Sequence, residues 1–346
     1  MAIFFVAVSA KTIDICRQMN NVIKFVISGC GHIALRHATA SAHFGELIAV
    51  CDADISKTKK FAEWFDCNTY NSIDEMLRNE ADADVVSICT PNYLHCPQSI
   101  LSLEKGFHVI CEKPMAINIS DAKKMISASQ SAGRELFVVK QMRYYPLIAY
   151  LKKLIDERSL GKIFSIHINC FWNRGVDYYH DWKGSKEKDG GTLFTQFSHY
   201  VDLLIWLFGK VNHTKFISAN LAHPEIEFED TGVVSFEMES GAIGNLSYSV
   251  NTYDRNIENS VSIIAEKGSI KINGAMLDHF EYFKVKGIEA PPIFENGFVN
   301  KEHSHFKVYE NVANALNGST HSILKASESI ESIELIEGIY NSGIKF

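Results

Sequence analysis

The chain has 346 residues, 46% hydrophobic and 22% charged, with a net charge of −7. That length allows about two domains with ordinary cores. The acidic balance offers no footprint for nucleic acid, and no apolar run approaches the roughly 20 residues needed to cross a bilayer.

Residues 1–18 read as a dispensable extension or an upstream start. "IFFVAVSA" resembles the core of a secretion signal but is short and lacks a positively charged start, and Met19 stands just before "NNVIKFVISGCG". Strand and helix signals then alternate. Strands are predicted over 22–28, 46–52, 83–89, 107–111 and 135–139, with helices over 32–44, 56–65, 72–78, 93–105 and 120–132. This alternation predicts a parallel sheet covered on both faces. Beyond about residue 145 the pattern changes. A helix over 146–158 precedes long alternating stretches at 162–172, 213–221, 231–238, 242–250 and 259–273. These predict a mostly antiparallel sheet with one open face. A strongly apolar helix over 192–208 interrupts them, and helices over 303–317 and 326–341 close the chain. The expected architecture is an α/β dinucleotide-type domain over 19–142 and an α+β domain over 143–346, whose last helix can return to the first domain. The eight cysteines include no C-x-x-C pair and read as buried free thiols of a reducing cytoplasm.

"VISGCGHIA" sets Gly29, Cys30, Gly31, His32, Ile33 and Ala34 between the first strand and the first helix, as G-x-G-x-x-A. The first glycine permits a tight turn, the second lets backbone approach a pyrophosphate, and the helix N-terminus attracts the anion. Asp52 ends the second strand 21 residues after Gly31, where a carboxylate can bond a ribose 2′-hydroxyl. An acid there repels a 2′-phosphate and Lys57 is the nearest cation, so NAD is favoured over NADP. Thr90, Asn92 and His95 follow the third strand and are expected on the nicotinamide side; Asn92 equally suits a helix N-cap. In "VICEKPMAI", Glu112, Lys113 and Pro114 end the fourth strand. That is the cofactor edge of the sheet, so Lys113 is expected to point at the reacting end of the nicotinamide. The proline fixes the turn, for which a cis peptide is available.

On the apolar helix, Thr195, His199 and Asp202 stand at i, i+4 and i+7 with Ser198 beside them. The stripe reads either as a polar cleft with His199 as a base, or as a core histidine held by Asp202. With "GCGHIA", "CEKPMA" and "GGTLFTQFSHYVDLLIWLFG" in this order, the chain over about 20–345 resembles the Gfo/Idh/MocA oxidoreductases. The resemblance implies a Rossmann domain, a second domain with a large, mostly antiparallel sheet, and dimers or tetramers joined through that sheet. It implies that Lys113 lies between nicotinamide and substrate and that His199 is the acid/base. Thr195 stands where the family often has Asp, or Asn in some sugar-nucleotide members. A Lys–Asp–His triad is therefore not supported, and the proton acceptor stays open between Lys113 and His199.

"FWNRGVDYYHDWKGSKEKDGG" looks like the segment of members that oxidise the 3-hydroxyl of UDP-linked N-acetylated hexoses or hexuronates. Arg174, Tyr178, Tyr179, Trp182 and Lys183 suit such a ligand, with cations for a diphosphate or carboxylate and aromatics for uracil or sugar. Trp182, Lys183 and Glu112 are also expected near the cofactor, and Arg143 in "KQMRYYP" near the substrate. No metal is required. The expectation is a cytoplasmic NAD-dependent dehydrogenase of a UDP-sugar. A free-sugar or cyclitol dehydrogenase is the alternative, and a non-catalytic nicotinamide-binding regulator is the alternative of another class.

Overall fold

Short, mostly buried apolar runs build the first sheet of this computed structural model, which describes residues 22–291, 301–318 and 325–345. The expected extension over 1–18 lies outside them, as does Cys16. The six strands are β1 (Lys24–Ser28), β2 (Glu46–Cys51), β3 (Asn68–Tyr70), β4 (Val85–Ile88), β5 (His108–Cys111) and β6 (Leu136–Val138). All pair in parallel, in the order β3-β2-β1-β4-β5-β6. Between them run α1 (Ala34–Phe44), α2 (Ile55–Phe65), α3 (Ile73–Asn79), α4 (Asn92–Glu104) and α5 (Ile119–Ala132). Their starts obey local chemistry: Asp54, Ser72 and Asn118 each cap a helix by accepting a backbone N–H. Strand β3 is absent from the sequence reading because "NTY" is short, polar and at the edge.

The second sheet has eight strands, β7 (Ile163–Phe171), β8 (Val211–Ala219), β9 (Thr231–Met238), β10 (Ile243–Ser249), β11 (Glu258–Ala265), β12 (Gly268–Asn273), β13 (His279–Val285) and β14 (Gly343–Lys345), in the order β13-β12-β11-β7-β10-β9-β8-β14. Its pairs are antiparallel except β7 with β10 and β8 with β14. The single stretch expected over 259–273 is a hairpin that turns at Glu266 and Lys267. Strict alternation in β9 buries Val234, Phe236 and Met238 on one face. The other face leaves Ile217, Val233, Ile243 and Ile264 exposed.

Four longer helices complete the molecule: α6 (Pro146–Asp156), α7 (Ser198–Phe208), α8 (Lys301–Leu316) and α9 (Ala326–Asn341). Helix α7 is buried in the core and packs against α6 and α9. Helices α8 and α9 both return to the first domain. Val308, Tyr309 and Val312 of α8 join the core around Phe25 and Ile27. On α9, Glu337 Oε1 accepts the Ile119 N–H of α5 at 2.7 Å. The seven described cysteines are free, and six of them are buried. Among the described residues no helix is long and apolar enough to cross a membrane.

Candidate active site

The glycine turn is shaped by two different demands. Gly29 has φ +93°, and a Cβ there would sit 2.8 Å from the Cys89 carbonyl. Gly31 meets the opposite condition, since a Cβ would find nothing within 4 Å. His32 beside it is exposed and Ile33 half-buried. Helix α1 starts without a side-chain cap. The exposed Gly31 and His32 at this helix start leave backbone open to a ligand, which fits the pyrophosphate of a dinucleotide. Asp52 braces the turn: its Oδ2 accepts the Cys30 N–H at 2.8 Å and its Oδ1 the Asp54 N–H at 2.9 Å. Thr90 donates to Gln98 Oε1 at 3.0 Å.

The E-K-P turn carries a cis Lys113–Pro114 peptide. Glu112 is buried beneath it and does not face the groove as expected. Its Oε1 takes His37 Nε2 at 2.9 Å and His305 Nε2 at 3.3 Å, and its Oε2 accepts the Lys113 N–H at 3.0 Å. Burial alone would raise this carboxyl; the hydrogen bonds from His305 and His37 carry it well below its usual range. Burial lowers His37, whose Nδ1 meets Tyr309 Oη at 2.9 Å. Among the described residues, His37, Glu112 and His305 form a group with metal-ligand chemistry, and their facing atoms are already one another's partners. His95 also departs from expectation. It is buried, with Nδ1 2.7 Å from the Pro114 carbonyl and Nε2 2.9 Å from the Thr90 carbonyl, so it ties two turns together.

Lys113 reaches across to the second domain. Its Nζ donates to the Thr195 carbonyl at 2.9 Å. Burial lowers its pKa, Glu112 and Asp189 oppose that, and Arg174 and Lys183 reinforce it. Asn92 crosses too, donating to Thr195 Oγ1 at 2.8 Å and to the Asp189 carbonyl at 3.0 Å. Pro91 occupies the N-cap of that helix, so Asn92 is not its cap.

The expected stripe on the apolar helix is divided. Residues Leu193–Phe197 form a π-helical turn, and α7 begins at Ser198. The wider turn breaks the i, i+4, i+7 register. Thr195 turns to the Asp189 carboxylate. His199 faces the cleft, its Nε2 3.2 Å from Gln141 Nε2. Burial and the neighbouring Lys113 hold its pKa well below the usual histidine value, so the ring is neutral at pH 7. Asp202 is not the partner of His199. It binds Lys140 Nζ at 2.6 Å and Arg143 Nη2 at 2.7 Å. Arg143 also meets Glu328 at 3.3 Å. Its guanidinium is consumed by this buried cluster and does not reach the cleft. The sequence could not reveal this, because a structural arginine and a substrate arginine look alike there.

His199, Gln141, Trp172, Arg174 and Tyr200 line one end of an open cleft of about 670 Å³. Lys113 and His199 also share a small hollow beside it. At the rim, the Arg174 guanidinium lies 4.7 Å from the Trp172 ring and 5.2 Å from Tyr178. Lys183 Nζ is 4.0 Å from the Tyr178 ring and 5.8 Å from Trp182. Tyr179 packs against Tyr178 and against His223 at 5.1 Å. Residues from both domains therefore converge on one place.

Residues 23–140 match the family described as "Oxidoreductase family, NAD-binding Rossmann fold", GFO_IDH_MocA, and residues 148–271 match "GFO/IDH/MocA C-terminal domain". The chain belongs to the Gfo/Idh/MocA family. It is an NAD-dependent sugar oxidoreductase of that family. Its fold is similar to the WlbA dehydrogenase of Chromobacterium violaceum, solved with NADH and UDP-GlcNAcA: 37% identity, 94% of each chain covered, TM-score 0.86. The WlbA dehydrogenase of Bordetella pertussis, solved with the same two molecules, gives 34% identity, 93% and 96% coverage and a TM-score of 0.84. A curated relative, the 2,7-anhydro-N-acetylneuraminate hydratase of Escherichia coli, is 29% identical over 73% of this chain and 68% of its own length. In this Gfo/Idh/MocA chain, sequence reasoning missed Asp189, Gln141 and Gln196. Asp189 stands in "SKEKD", whose charged neighbours give no spacing signal for a buried acid. Gln196 holds Arg174 Nε at 3.0 Å, a contact with no spacing signal.

Proposed function

We propose that the protein oxidises the 3-hydroxyl of a UDP-linked N-acetylated hexose or hexuronate by hydride transfer to NAD. The observation that carries this reading is the cleft that His199 and Arg174 line together, with Lys113 near enough for its charge to act on His199 and the Arg174–Tyr178–Lys183 stack continuing from it. The likeness to WlbA dehydrogenases solved with NADH and UDP-GlcNAcA supports it.

The turn at Gly29 and Gly31, with His32 and Ile33, holds the pyrophosphate, and Asp52 takes the ribose. Thr90 and Asn92 border the nicotinamide side, with Trp182 and Lys183 across from them. NAD, when bound, supplies the hydride acceptor. The carbinol carbon loses its hydride and the hydroxyl loses a proton, leaving a ketone. Lys113 and His199 are the two groups placed for that proton, and the Lys113 donors steady the developing alkoxide. Arg174 and Lys183 face the diphosphate or carboxylate, while Tyr178 and Tyr179 face the uracil or sugar. Thr195 takes no proton; it holds its neighbours. The open sheet face at Ile217, Val233 and Ile243 joins copies into a dimer or tetramer.

A panel of UDP-sugars and free sugars, followed by NADH absorbance, tests the substrate class. UDP-linked N-acetylated sugars should turn over best. Turnover confined to free sugars or cyclitols would sink the nucleotide assignment, and none on any sugar would favour a nicotinamide-binding regulator.

A further inference from the structure

Asp189 is an acid that the proposed chemistry leaves without a role. It closes the one-turn helix Lys186–Asp189 and is only 1% exposed. Its Oδ2 accepts the Gly184 N–H at 2.9 Å. Its Oδ1 accepts the Thr195 hydroxyl. Asn92 spans the same pair, reaching Thr195 Oγ1 and the Asp189 carbonyl with one amide nitrogen. The carbonyl of Thr195 is where Lys113 Nζ rests, at 2.9 Å. Acid, hydroxyl, peptide carbonyl and ammonium thus form one connected series across the domain junction.

The charges point the same way. Lys113 is attracted by Glu112 and Asp189 and repelled by Arg174 and Lys183. Asp189 is in turn attracted by Lys183 and Lys113 and repelled by Glu229. The hydroxyls of Tyr178, Tyr179 and Tyr340 also feel it. A buried carboxylate among these groups acts on the lysine with little solvent screening.

We propose that Asp189 is a positioning residue for Lys113: by holding the Thr195 hydroxyl it fixes the carbonyl on which Lys113 rests, and its negative charge offsets Arg174 and Lys183 there. Asp189→Asn removes the charge and keeps the hydrogen bonds, since an amide can accept from Gly184 and donate to Thr195 Oγ1 while the hydroxyl turns to the Asp189 carbonyl, 3.1 Å away.

The proposal rests on Lys113 standing at the reacting centre, so its test has an arm that needs no substrate. Lys113 is labelled with acetic anhydride across pH in the full chain and read by mass spectrometry of its peptide. The labelling midpoint should fall by about one pH unit, a tenfold loss of proton affinity, in Asp189→Asn. NAD binding, measured by calorimetry, should hold. Thr195→Val should lower the midpoint in the same direction, and Thr195→Ser should restore it. With a turned-over sugar, kcat should fall in Thr195→Val and recover in Thr195→Ser, with KM for NAD constant. An unmoved midpoint in folded Asp189→Asn and Thr195→Val overturns the proposal. A moved midpoint in a protein that oxidises no sugar upholds it while removing the function reading.

Discussion

Glu112 and Asp189 are two buried carboxylates on opposite sides of Lys113, and they are driven in opposite directions. Glu112 lies inside the first domain and meets two imidazoles and a backbone N–H, so it is held ionised against burial. Asp189 lies in the second domain with one N–H and one hydroxyl. Burial dominates and raises it to about 7, although Lys183 and Lys113 pull the other way. Burial alone therefore does not set a carboxyl's charge; the number and strength of donors aimed at it decide. The first acid anchors, and the second can respond to pH.

The contrast is broken most directly at the anchor. Glu112→Ala strands the donors of His37 and His305 and should cost roughly 3–5 kcal/mol in urea unfolding. A parental midpoint would mean that the acid is not an anchor. Next is the lysine between them. Lys113→Met should lower turnover by about 10²-fold, roughly 2.7 kcal/mol of barrier, with Tm and NAD binding near the parent. His199→Ala should lose a comparable amount, and the double variant less than the product. A third measurement sharpens the responsive side. A carboxyl held near pH 7 in the folded chain keeps its proton where the unfolded chain has lost it, so stability falls as pH rises from about 4 to 7. Asp189→Asn lacks this fall and should gain on the order of 2 kcal/mol against the parent between pH 5 and pH 8. Parallel stability curves for the two proteins would contradict the assignment. Glu112, held low, contributes in the opposite sense: its share is present above its unfolded pKa and lost only in strong acid. The smallest effect concerns cofactor choice. Asp52→Ala should narrow the preference for NAD over NADP by about tenfold, or 1.4 kcal/mol, in paired titrations; a parent that binds NADP as tightly would refute the role of Asp52.

Much of this arrangement was legible in the sequence. The strands β1, β2, β4, β5 and β6 announce themselves as short apolar runs, and Gly29, Gly31 and Asp52 fall where strand ends demand special backbone or a carboxylate. Lys113 was expected from its place at a strand end and His199 from a polar position on an apolar helix, and the fold sets both at one hollow. What escaped was anything fixed by contact between distant segments. Asp189 has charged neighbours and no periodic signal, and only the fold brings it to Thr195. The π-helical turn at 193–197 has no periodic signature, so the sequence leaves an Asp202–His199 pair open as one alternative, whereas Asp202 serves Lys140 and Arg143. Strands β3 and β14 are three residues each, too short for a period to show.

The return of α8 to the first sheet has a consequence for synthesis. Tyr309 is buried against Phe25, with ring centroids 5.3 Å apart, and bonds Ser87 Oγ at 2.7 Å. A nascent chain that has emerged as far as β13 therefore holds every strand of the cofactor sheet yet lacks the side chains that seal one of its faces. The half that is made first is sealed only after most of the second sheet has been made, and until α8 leaves the ribosome His37 waits for a partner 272 residues further along the chain.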